Sequence, residues 1–224
     1  MLSKYIHTIK KVLDSPRDVV DNFLIGNKGD HQHPFIYCTI GVILIVLLNS
    51  VMVDFSFTPE LTDIESDDET VQALASWIEI ANVRASTQFL PLMMGLLFIP
   101  MLSLPGLFFF REELEGFYSN LVLNTYMVGT SILALVLLIP VWMFVDVPLS
   151  DPYMNSTMPS VFAAVIGIWV YKQYFNVSSI RGWIKIISSY ITGYVLFVII
   201  KGFAAGVTGY MIFAVKRIAE LSGT

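Results

Sequence analysis

Residues 89–110 read FLPLMMGLLFIPMLSLPGLFFF. The charged turn Arg111-Glu112-Glu113-Leu114-Glu115 follows, and then LVLNTYMVGTSILALVLLIPVWMFV at 121–145. At 1.5 Å per helical residue, each apolar run is about long enough to cross a hydrocarbon layer of roughly 30 Å. Inside that layer, backbone N–H and C=O groups must be satisfied by the chain itself, which leaves helices or closed barrels. Two such runs around one charged turn therefore predict a helical hairpin across a membrane. Extending the same criterion along the chain predicts spans at about 35–53, 88–110, 119–145, 160–175 and 184–215. The expected fold is all-α: a polytopic bundle of about five transmembrane helices, with amphipathic helices in 1–34, an acidic external loop at 54–87 and a short tail at 216–224.

Composition agrees with this. Of 224 residues 55% are hydrophobic and only 14% charged, against about 25% charged in soluble chains. The net charge of −5 argues against nucleic acid as a partner. The single cysteine, Cys38, excludes an internal disulfide and a cysteine zinc ribbon, and inside the first span it reads as a small apolar filler. The first 33 residues carry nine charges and no apolar core segment, so no cleavable signal peptide is expected and the first span would act as an uncleaved anchor.

In 2–13, Leu2, Tyr5, Ile6, Ile9, Val12 and Leu13 fall on one helical face and Lys4, His7, Lys10 and Lys11 on the other. Ser15-Pro16-Arg17-Asp18 reads as a second helix start, with Ser15 as N-cap and Pro16 where its missing N–H is harmless. Gly26-Asn27-Lys28-Gly29 ends that helix. Both helices suit a membrane surface and equally suit packing under the protein's own spans. His31 and His33 read as interfacial histidines, because no further ligand stands at a metal-binding spacing. The run Glu60 to Glu69 lacks the glycine and closing glutamate of a calcium loop and reads as solvated. Val71, Leu74, Ile78 and Ala81 then predict a short amphipathic helix.

The residues that invite a functional reading lie deeper. Pro91, Pro100 and Pro105 predict a kinked or locally unwound second span. Asn120, Asn124 and Tyr126 cannot all face lipid, so that half of the third span is expected to face the bundle. Lys201 is a charge within the apolar stretch 184–215, which we read as one long helix, tilted or protruding. Such a lysine is either functional or snorkels to an interface. Gly202, Gly206 and, with Ala205, Gly209 offer a stripe for close helix contact.

The segments SPRDVVDNFLIGNKGDHQHPFIY and LFFFREELEGFYSNLVLNTYMVG resemble a bacterial family of multi-span membrane proteins with no assigned activity. That family has a Pro-containing helix, a Gly-Lys turn and a Pro-Phe lead-in to the first span. Its frequent N-terminal zinc ribbon is absent here, and Ser119-Asn120 stand near where many members have Glu-His. The five-span plan with an amphipathic N-terminus is also distantly similar to the Yip-type proteins, which interact with Rab GTPases and shape membranes. The resemblance implies a fold and no activity.

No nucleophile elbow, paired intramembrane aspartates or His-Glu zinc motif is present. We therefore expect no enzyme, no cofactor and no metal. The expected function is that of a scaffold, assembly factor or accessory subunit, with the lipid bilayer, other membrane proteins or a second copy as partners. The alternative is a small transporter or channel subunit with a polar site near the kinked second span and Lys201. Five Lys and Arg in 1–34, Arg111, and three in 172–185 oppose Arg84 alone in the other loops. This predicts an N-terminus in the cytoplasm and an integral protein of the bacterial inner membrane.

Overall fold

The structure, a computed structural model, describes residues 2–27, 31–52, 68–86, 88–114, 116–144 and 152–222. Among these residues there are eight helices and no strand: α1 (Leu2–Asp14), α2 (Pro16–Leu24), α3 (Pro34–Met52), α4 (Glu69–Ser86), α5 (Leu90–Phe109), α6 (Phe117–Phe144), α7 (Pro152–Tyr174) and α8 (Ile180–Ser222). Three are long and apolar enough to cross a membrane: α5, α6 over Phe117–Leu138, and α8 over Ile180–Ala219. The shorter apolar segment Pro34–Leu48 of α3 accompanies them. The acidic run up to Asp67 lies outside the described residues.

Helix α6 is the centre. Tyr37 of α3 hydrogen-bonds Thr130 across 2.9 Å, and Gly41 packs on Ile132 and Leu133, so α3 runs parallel to α6. On another side, Gly106 of α5 lies directly against the Asn120 amide, so closely that no Cβ fits between them. On a third, Tyr171 reaches Asn124 and Gly167 lies against Met127, which sets α7 antiparallel to α6 and puts Trp169 level with Tyr126.

Helix α5 does not break at its prolines. A π-helical turn, Met94–Phe98, widens it just before Pro100. Pro100 has no N–H for the carbonyl four residues back, and its ring crowds that carbonyl, so the wider turn accommodates both effects.

The N-terminal helices pack on α6 and α7 below the start of α3, with Pro16, Val19 and Val20 buried. The inward face of α1 is centred on Tyr5, Thr8 and Val12. Ile6, expected among the apolar face, is exposed. Thr8 is fully buried, its hydroxyl donating to Lys4 O and accepting the Gln32 N–H. Tyr5 donates to the Tyr37 carbonyl, and burial raises its hydroxyl pKa, so it remains a donor. Ser15 occupies the N-cap position of α2 without a capping side-chain bond; its N–H instead continues α1 to Lys11 O at 2.8 Å.

Helix α7 begins at Pro152, eight residues before the expected span, so the second half of the expected loop is helical. It ends on Asn176, whose φ of 47° lets the Val177 N–H return to Lys172 O. Helix α8 then runs 43 residues unbroken, about 65 Å at 1.5 Å per residue. Its first half lies antiparallel to α5: Lys185 bridges Glu113, Gly193 meets Leu102, and Phe98 packs on Tyr190 and Phe197. Its second half lies antiparallel to α4, with Ala205 buried against Ala81 and Ala85.

Candidate functional site

The first half of α6 carries the buried polar residues. Asn120 and Asn124 both have 0% exposure. The Asn120 amide donates to Ser103 O at 2.6 Å. The Asn124 amide donates to Ser103 Oγ at 3.1 Å and to Asn120 O at 2.9 Å, while its carbonyl accepts the Tyr171 hydroxyl at 2.8 Å. Ser103 Oγ in turn donates to Ile99 O. This network ties α5, α6 and α7 together inside the apolar bundle, where each polar group needs a partner. Two residues on, Tyr126 donates to Gln32 O at 2.7 Å and so anchors the lead-in to α3. Asn120 and Asn124 share one network, and Tyr126 belongs to a different contact. Ser103 and Tyr171 were not singled out from the sequence. A serine and a tyrosine in apolar runs carry no distinguishing spacing, and only the crossing of α5 and α7 over α6 assigns them.

Lys201 stands apart from this network. Its ammonium donates to Ser86 Oγ at 2.7 Å, at the end of α4 and just before α5 begins. From Lys185 to Lys201 is sixteen residues, about 24 Å of helix, so Lys201 sits near the end of α5 opposite to Glu113. The second half of α8 continues past that level. Lys216 lies over the Trp77 ring of α4 at 4.1 Å.

The small residues of α8 divide. Ala205 and Gly209 face α4, and a Cβ on Gly209 would come within 2.6–2.8 Å of the Trp77 and Ile78 backbone. Among the described residues, nothing lies within 4 Å of a Cβ placed on Gly202 or Gly206, so these two do not extend that contact there. The two pairs lie about 60° apart around the helix, because residues three apart are separated by roughly 300°.

Under the first turn of α3 lie two cavities. One of about 310 Å³ is lined by His7, Lys11, Asp18, Asp21, Asn22 and His31, with the His7 and His31 rings stacked at 5.6 Å. The other, about 210 Å³, includes Lys4, His33 and Tyr126. Among the described residues no group of three or more His, Cys, Asp or Glu is placed to hold a metal ion. Cys38 is buried against the close α3–α6 crossing at Gly129. Compared with protein families, curated proteins and solved structures, the chain matches none.

Proposed function

We propose that this chain is a non-enzymatic integral membrane protein of five crossings that works by holding another membrane protein or a second copy of itself, as a scaffold, assembly factor or accessory subunit. The observation that carries this reading is the arm built from α4 and the second half of α8. It continues beyond the level at which α5 ends, yet Phe203, Val207, Tyr210, Met211, Val215 and Ile218 of α8 remain exposed, Phe203 at 73%. An apolar stripe of that length marks a contact surface. The buried amides of α6 are bonded to neighbouring helices, which supports a structural role for them. The five Lys and Arg of 1–34 favour an N-terminus on the cytoplasmic face of the bacterial inner membrane in this reading.

Cross-linking in native membranes, followed by mild detergent and mass measurement, is expected to recover the chain at twice its 25.1 kDa or with a defined partner. Recovery of the bare monomer alone would overturn the proposal. The transporter reading draws on the π-helical turn beside Pro100, a feature that recurs at functional sites. Flux measured across proteoliposomes tests it directly.

A further inference from the structure

We infer that the surface where α7 turns into α8 binds the headgroup of an anionic phospholipid, with Lys172 as its principal cation and Trp169 and Trp183 as its walls. The Lys172 ammonium lies over both indoles, 5.2 Å from the centre of the Trp169 ring and 5.8 Å from that of Trp183. Trp169 is half-exposed, so the ammonium stands at the surface of the bundle. Ring faces attract a cation without accepting its N–H groups in ordinary hydrogen bonds, which leaves those donors to phosphate oxygens. Among the described residues Lys172 forms no ion pair. Its own stretch of chain offers no carboxylate, since no Asp or Glu occurs between Asp151 and Glu220. Glu113 is held by Lys185 at 3.3 Å, and Asp14, next to the Leu13 carbonyl that accepts the Trp169 N–H, makes no ion pair among the described residues. Arg181 is exposed one turn before Lys185 on the same side of α8, and adds a second charge without an ion pair among the described residues.

The depth of this surface follows from the ends of the crossings. The apolar run of α5 ends at Phe109 and that of α6 begins at Phe117, so the turn between them marks an edge of the apolar layer. Lys185 bridges Glu113 of that turn, and Phe175, just past α7, stacks on Phe110 with ring centres 3.8 Å apart. Because α8 runs antiparallel to α5, Trp183 stands two residues beyond Lys185, about 3 Å further out. The Lys172 ammonium, against the Trp183 ring, is therefore held at that edge, where indoles and basic side chains meet headgroups. The turn itself is fixed. Asn176 takes a φ of 47°, Val177 lies so close to Gly182 that no Cβ fits between them, and Ser179 Oγ accepts the Gly182 N–H at 3.2 Å.

The inference rests on α5, α6 and α8 crossing a bilayer and not on a protein partner, so a monomeric chain leaves it intact. The test takes the full chain into mixed micelles containing phosphatidylglycerol and phosphatidylcholine in equal amounts. The lipid that stays bound is identified from the mass of the intact complexes. The native chain is expected to retain the glycerol lipid over the choline lipid, and Lys172→Gln to lower that ratio about fivefold, as the loss of one cation at a headgroup provides. Trp183→Leu, which removes a wall and no charge, should lower the ratio as well. Lys10→Gln, on the exposed face of α1, should leave it unchanged. If Lys172→Gln fails to fold by circular dichroism, Arg181→Gln at its exposed position takes its place and is expected to lower the ratio in the same direction. A native ratio near one, a ratio unchanged by the cation variant or by Trp183→Leu, or an equal fall in Lys10→Gln would each overturn the inference. So would loss of the preference in a molar excess of inorganic phosphate, which would assign the cations to a free anion.

Discussion

Asn124 is the residue on which the interior depends most. Its single amide joins α5 through Ser103 and α7 through Tyr171, and both of those residues are fully buried. Replacing it with alanine takes the acceptor from the Tyr171 hydroxyl, while Ser103 Oγ keeps its bond to Ile99 O; one unsatisfied buried partner costs about 1–3 kcal/mol. That exceeds the average of about 0.6 kcal/mol for one interhelical hydrogen bond in a bilayer. Asn124→Ala is expected to lower the unfolding free energy in mixed micelles by about this amount, while Thr39→Ala on the exposed face of α3 leaves it nearly unchanged. A loss under about 0.5 kcal/mol for Asn124→Ala would mean the network is incidental. Lys201 behaves differently because it stands at an end of the bundle. Lys201→Met loses the Ser86 bond but also removes a half-buried charge, and these effects oppose each other. The variant is expected to fold and to melt within about 3 °C of the parent, corresponding to about 1 kcal/mol. A larger fall would make Lys201 a structural clamp between α8 and α4.

At the scale of elements, the pairing of α4 with α8 turns on one glycine. Gly209→Leu would drive side-chain atoms into the Trp77 and Ile78 backbone, so α4 must move away as a unit. Limited proteolysis within 69–86 should accelerate in Gly209→Leu and stay at the parental rate in Gly206→Leu, where the new side chain meets open space. Equal rates in the two variants would show that α4 is held elsewhere. The sequence made the four-residue small stripe legible but not its division, because Gly202, Ala205, Gly206 and Gly209 are all small and only the neighbouring helix distinguishes them. The same limit applied at α1. Periodicity located that helix, but Ile6 departs from its expected side while Thr8, assigned to neither face, is buried through its bond to the Gln32 N–H, a partner twenty-four residues away. Apolar runs made α5, α6 and α8 legible, since hydropathy alone marks a helix that can cross a membrane. The buried amides of α6 were legible for a related reason: amides in an apolar run must find partners, though the sequence names none of them.

For the whole molecule, the open question is which ends share a side of the membrane. Continuity of α8 ties the answer together. Lys185 meets Glu113 at one end of the bundle, Lys201 meets Ser86 at the other, and the chain then runs on beside α4 without reversing. On the five-crossing proposal, Asp68 and Ser222 therefore share one side, and the turn around Arg111 shares the opposite side with the N-terminus. On the same proposal, the positive charge of 1–34, Arg111 and 172–185 predicts that the N-terminal side is cytoplasmic. Lys216 and Arg217 oppose the rule, since they lie past the last crossing, but Lys216 rests on the Trp77 ring, a contact that adds about 0.5–1 kcal/mol at an exposed site. Single cysteines at Ser3, Asp68 and Ser222, in a Cys38→Ser background, resolve the arrangement with an impermeant thiol reagent on intact cells. Asp68 and Ser222 should react and Ser3 should not. Reaction at Ser3 and Ser222 without Asp68 would break the α4–α8 pairing, and reaction at Ser3 alone would invert the orientation.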